Sequence, residues 1–140
     1  MDHSWVFFGL LSAISAAFVA IFGKIGLEGI DTHVATTVRG FVMFVFLLLV
    51  ILFMQKSALI FQLNSKALIF IILSGIAGAL SWLFYFFALK IGEASKVAPI
   101  DRLSVVFVLI FGALFLGEKI TIFKAGGILL MVTGAILLIL

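Results

Sequence analysis

The chain has 140 residues, of which 66% are hydrophobic and 11% are charged. Soluble domains run near 45–50% apolar and about 25% charged, so a water-soluble enzyme or nucleic-acid module is excluded and lipid is the remaining solvent. Net charge is +3 with 0 Cys, which removes disulfides, thiolate metal sites and a Cys nucleophile. The basic residues are spread along the chain rather than gathered into a nucleic-acid footprint.

A helix needs about 20 mostly apolar residues to cross a bilayer core. Five stretches meet that length, at residues 5–23, 34–54, 67–89, 97–116 and 122–140, and short polar breaks between them hold most of the charge. Backbone amides in hydrocarbon must be satisfied internally, by helices or by a closed barrel. Barrel strands alternate apolar and polar residues, and runs such as Phe44–Phe53 do not alternate. The expected fold class is an all-α integral membrane protein with five transmembrane helices in one domain, multi-pass in the cell membrane.

The first span follows Met-Asp-His-Ser. A secretory signal wants a basic segment there, so the span is expected to be retained. Its small residues, Gly9, Ala13, Ala17 and Ala20, run toward Lys24 and read as a packing stripe. The second span carries Arg39, about two turns inside. The third carries Ser74, Gly78, Ser81 and Tyr85 at helical spacing, with Trp82 alongside. That stripe is either a close-packing face or the wall of a solute path. The fourth span carries Pro99, Asp101 and Arg102. Proline is tolerated in a first helical turn, so Pro99 either starts the helix or marks a broken one whose freed backbone groups face a cavity. The fifth span has Gly126, Gly127 and Gly134 and no charge past Lys124, as a peripheral helix would.

A charge at the centre of a membrane helix costs roughly 2.5–3.5 kcal/mol, less toward the interface. Arg39, Asp101 and Arg102 must therefore pair or line a wet cavity. The favoured pair is Asp101 with Arg39, and Arg102 or Lys24 are the other candidate partners. Such a pair either rivets helices together or serves a solute.

Two further patterns bear on assembly. Lys24-Ile25-Gly26 and Lys90-Ile91-Gly92 each end a span, each is followed by a turn with a capping residue (Thr32 or Ser95), and each precedes an Arg in the next helix. This is either a weak internal repeat or shared turn chemistry. An odd span count puts the termini on opposite sides. Lys24, Arg39, Lys90, Lys96 and Arg102 then lie toward one face, and Lys56, Lys66, Lys119 and Lys124 toward the other. Five against four does not set orientation by the positive-inside rule; either one orientation wins or the chain inserts both ways and pairs as an antiparallel dimer.

His3 and His33 fall on opposite faces, and no second buried acid, Ser/His/Asp set, nucleotide loop or HExxH motif is present. No enzyme activity, cofactor or metal site is expected.

Lys96–Ser104 (Lys-Val-Ala-Pro-Ile-Asp-Arg-Leu-Ser), Leu-Gly-Glu-Lys at 116–119 and the Gly-rich last span resemble the EamA family of the drug/metabolite transporter superfamily. Gly23–Leu27, Arg39 and Ser81–Tyr85 agree, so the resemblance covers the whole chain. Most members carry ten helices as two inverted five-helix repeats, and this chain resembles one such half. The resemblance implies two oppositely oriented copies, spans one to four lining a central cavity, and the fifth outside. It implies small metabolites or drugs as solutes. The small multidrug resistance branch uses an acid in its first helix, where this chain offers only Ser12 and Ser15; proton-coupled export of cationic drugs is not implied unless Asp101 takes that role.

The function expected from these residues is secondary transport of a small solute by an antiparallel homodimer with alternating access. The alternatives are a flippase for a lipid-linked head group and a non-transporting membrane subunit. The candidate substrate or coupling-ion site comprises Arg39, Ser81, Trp82, Tyr85, Asp101 and Arg102, supported by Lys24, Pro99 and Ser104. The expected partners are membrane lipid, a small-molecule substrate and a second copy, with no nucleic acid.

Overall fold

The apolar blocks fold as helices and the polar breaks become turns. A computed structural model describes residues 4–140. In chain order the helices are α1 (Ser4–Gly26), α2 (Thr32–Phe53), α3 (Ser65–Ile91), α4 (Ala94–Asp101), α5 (Ser104–Leu116) and α6 (Ile122–Leu137), with a 3-10 turn at Ser57–Gln62 between α2 and α3. α1, α2, α3 and the stretch Ala94–Leu116 are long and apolar enough to cross a membrane, and α6 is a shorter apolar helix.

Most large apolar side chains face outward. Ala20, Leu27, Phe86, Leu89 and Ala135 are the buried apolar residues among those described, whereas Phe8, Phe41, Phe53 and Phe84 are exposed. So much exposed hydrocarbon is tolerable only against lipid or another copy.

The chain divides into two units. One holds residues 22–90 and the other residues 1–21 with 91–140. In the first unit, Asp31 caps α2: its carboxylate accepts from His33 N at 2.9 Å and Val34 N at 3.2 Å. Thr32, the cap expected from the sequence, is instead the first helical residue, and its hydroxyl oxygen is buried without a partner. α2 ends in a Schellman turn. Lys56 N donates to Ile51 O and Gln55 N to Leu52 O. Gln55 takes the left-handed position (φ 55) that glycine usually fills. Asn64 caps the start of α3 through Ala67 N at 2.7 Å.

In the same unit the last turns of α1 meet the end of α3 at Gly23. A Cβ there would stand 3.2 Å from Phe86 Cε1 and 3.4 Å from Leu89 Cδ1, so glycine sets the approach. Phe86 and Leu89 are consequently among the best-buried side chains, at 3% and 0% exposure.

In the second unit the expected fourth span differs from its prediction. The helix starts at Ala94 rather than Val97, with Glu93 at the cap position. Ser95 therefore lies inside the first turn and is not the cap. Pro99 is the sixth helical residue, so it does not begin the helix. Its ring removes an amide donor and crowds the carbonyl four residues back. The span breaks just beyond it. Arg102 N still reaches Ala98 O, but Leu103 N turns to Ile100 O, Val105 N to Arg102 O and Val106 N to Leu103 O. The ladder has tightened to the i→i−3 spacing of a 3-10 turn. α5 closes at Gly117 (φ 68), a conformation that costs glycine nothing.

α6 is capped by Thr121, whose hydroxyl accepts from Lys124 N at 3.3 Å. It ends at Leu137, three positions short of the expected limit, in a final turn where Lys96 Nζ of α4 donates to Ile139 O at 3.4 Å.

Candidate functional site

The first unit places a cation inside a membrane-length helix. Arg39 is the eighth residue of α2, which puts it about 10 Å along the axis at 1.5 Å per residue. Its guanidinium carbon lies 4.2 Å from the centre of the Trp82 ring and 5.1 Å from that of Phe86. Trp82 and Phe86 are four residues apart on α3, so they share one helix face and form a continuous aromatic wall. Cation–π contacts of this kind are worth about 2 kcal/mol or more when desolvated. They stabilise a half-buried arginine by contacts within its own unit.

The contact leaves one group unsatisfied. Nη1 of Arg39 is buried and has no hydrogen-bond partner. A buried charged donor without an acceptor is costly, so the site holds a donor in want of an acceptor.

The other sequence-chosen residues of this unit lie around the wall. Tyr85 is half-buried beside Phe86, their ring centres 6.3 Å apart. Ser81 is exposed, one position before Trp82. The stripe Ser74, Gly78, Ser81 and Tyr85 thus runs next to the aromatic wall rather than through it. Phe86 was not among the residues expected from the sequence. The available signal was its i+4 spacing from Trp82, opposite a helix that carries a lone arginine.

Lys24 braces the same unit. Its ammonium donates to Leu89 O at 2.6 Å, at the end of α3. Lys90 donates to Ile30 O at 3.0 Å. Lys24, Lys90 and Glu28 border a cavity of about 400 Å³. His33 packs edge-on to Phe87, with ring centres 5.1 Å apart; His3 lies outside the described residues.

Asp101, Arg102, Pro99 and Ser104 belong to the second unit and cluster at the break between α4 and α5. Asp101 is the last residue of α4, Arg102 stands in the break, and Ser104 begins α5; all three are exposed. Pro99 is half-buried within α4. The same unit holds the ion pair between Glu118 and Lys124, 3.6 Å apart and largely exposed. It borders a mostly apolar cavity of about 350 Å³ between α5 and α6.

Helices of membrane length, one of them carrying a guanidinium held on rings and another broken beside an acid and a base, define a polytopic membrane protein. The chain belongs to the EamA-like transporter family, whose profile matches residues 3–140. It is 41% identical over 138 residues to a Sinorhizobium sp protein described as "Uncharacterized transporter in cobO 3'region". That match spans 99% of this chain and 98% of the relative, so the relative shares its length. No solved structure matches the chain. It is therefore a multi-pass membrane protein of a transporter family, in contact with lipid.

Proposed function

We propose that the protein is a secondary transporter of a small solute that works as an antiparallel homodimer with alternating access. In this reading α6 completes five spans. Arg39, Trp82, Tyr85 and Ser81 form one part of the substrate or coupling-ion site, and Asp101 and Arg102 at the helix break form the other. Lys24, Pro99 and Ser104 support them. The observation that carries the reading is the unsatisfied Arg39 donor over the Trp82 ring. A structural rivet would satisfy its donors, whereas a site that binds and releases a solute leaves one open.

Two features support the paired assembly. Apolar surface remains exposed on every membrane-length helix. Lysine and arginine are also nearly balanced between the two faces, as a chain that inserts in both orientations requires. Alternating access would rock one copy against the other around the shared site.

The test has two parts. Topology reporters on both termini should find each terminus on both sides of the membrane; one fixed orientation rules out the antiparallel homodimer. In proteoliposomes, Arg39→Gln and Asp101→Asn should each abolish solute movement while the protein still folds. Unchanged transport by a folded variant removes that residue from the mechanism.

A further inference from the structure

The chemistry around Arg39 constrains what the site can accept. Aromatic faces bind cationic ligands when they are free. Here the Trp82 and Phe86 faces are already covered by the protein's own guanidinium. A cationic solute approaching these two rings would meet a like charge. The acids of this unit do not offset that charge. Asp31 is tied to two backbone amides at the start of α2, and Glu28, on the α1–α2 turn, is the other acid between residues 22 and 90, where Lys24, Arg39, Lys56, Lys66 and Lys90 supply the bases. Nη1 meanwhile has no acceptor. A planar guanidinium offers its donors in a fork that matches carboxylate or phosphate oxygens.

We infer that the solute carries an oxyanion, which docks on the open Nη1 donor of Arg39 while its apolar part lies along Tyr85, beside the aromatic wall. This rests on the transporter reading and deepens it. The acceptor reaches Nη1 through a rotamer change of the long arginine side chain. Trp82 provides the reporter, because its indole touches the group that binds.

The chain has 2 Trp residues, Trp5 and Trp82, so a Trp5→Phe background isolates the signal. The purified protein in zwitterionic nanodiscs is titrated with benzoate, phenyl phosphate and benzylammonium while Trp82 emission is read. A saturable change is expected with benzoate or phenyl phosphate and not with benzylammonium. A response to benzoate alone assigns a carboxylate, and to phenyl phosphate alone a phosphate. Arg39→Gln should weaken the response at least about tenfold, the scale of a lost charge-assisted hydrogen bond, while Arg39→Lys retains part of it. If Arg39→Gln fails to fold, the Lys variant and the anion-over-cation preference of the parent protein decide.

Silence toward both anions, benzylammonium binding as tightly as either, or anion binding unaffected by loss of Arg39 overturns the inference. So does binding that emerges only in Asp101→Asn, since the protein's own carboxylate would then be the acceptor. Anion binding with no solute movement in reconstituted vesicles defeats the transporter reading and leaves the anion site standing. Movement of neutral or cationic solutes, indifferent to benzoate and to Arg39, does the reverse.

Discussion

Lys24 and Lys90 brace the same junction reciprocally. Lys24, in the last turn of α1, donates to Leu89 O near the end of α3, and Lys90, in the last turn of α3, donates to Ile30 O just beyond α1. Leu89 O is one of the carbonyls left unsatisfied at the C-terminus of α3, where partial negative charge gathers, so Lys24 relieves a helix-end cost, whereas Lys90 ties down the turn that leads into α2. Lys24→Met should lower stability by about 1–2 kcal/mol, because its bond is part-buried, and Lys90→Met by less than about 1 kcal/mol, because its bond is exposed. Thermal unfolding in detergent of the two single variants and the double variant gives the coupling.

Gly23 sets two effects against each other. Alanine gains about 1 kcal/mol in helix propensity, but its Cβ would meet the edge of Phe86 at 3.2 Å. The ring can yield by a few tenths of an ångström, so Gly23→Ala should be near neutral. Gly23→Leu drives a branched side chain into Phe86 and Leu89 and should cost about 1–3 kcal/mol. Because Phe86 also flanks Arg39, the Leu variant should change Trp82 emission, which a purely local defect in α1 would leave alone.

Gln55→Gly is expected to stabilise the protein. Gln55 holds the left-handed position of the Schellman turn (φ 55), and that conformation costs a side chain roughly 1–2 kcal/mol. Greater backbone freedom of glycine in the unfolded chain returns part of this, leaving a net gain of about 1 kcal/mol. A raised unfolding midpoint with unchanged transport is the expected result.

Asp31 gives acid sensitivity. The Val34 amide, followed by the His33 amide and the charges of His33 and Lys90, holds its carboxyl below the usual value of 3.8 against a smaller desolvation effect. Its folded value lies below its unfolded value, so its stabilisation is complete above the unfolded value and is lost as pH falls through the folded one. Stability curves of the parent and of Asp31→Ala should therefore differ at neutral pH and converge in acid. Asp31→Asn keeps a capping side chain and should lie closer to the parent, with a flatter acid limb.

Pro99→Ala restores a donor to Ser95 O and removes the ring clash. It should raise thermal stability by up to about 3 kcal/mol, the interior proline cost. If the α4–α5 break serves the transport cycle, the same variant slows solute movement in proteoliposomes.

The first three helices were legible because each is a long apolar run bounded by charge, and their ends fall within a few residues of expectation. The fourth was not. Pro99 reads as a helix start if the helix begins at Val97, and as an interior breaker if it begins at Ala94. Hydropathy does not distinguish those registers, because Ala94-Ser95-Lys96 is a weak signal either way. Arg39 stood out as a charge that a membrane helix must accommodate, and Trp82 was placed in the same candidate site, but the contact between them and the part of Phe86 were not read from the sequence. A search for an opposite charge points to Asp101, whereas a desolvated guanidinium is also stabilised by ring faces, and Trp82 with Phe86 supplies two. The cap at Asp31 was hidden beside Thr32, since both residue types cap and only backbone geometry chooses between them.

The aromatic cover of Arg39 has a consequence for biosynthesis. Trp82 and Phe86 follow Arg39 in the chain, so the ribosome delivers α2 to the insertion machinery before the rings that shelter its charge have been made. Until α3 emerges, the nascent second segment bears the unshielded arginine, and its residence in the bilayer is provisional. A chain stalled or truncated ahead of Trp82 should therefore let that segment slip back toward water, while one released after Phe86 should hold it.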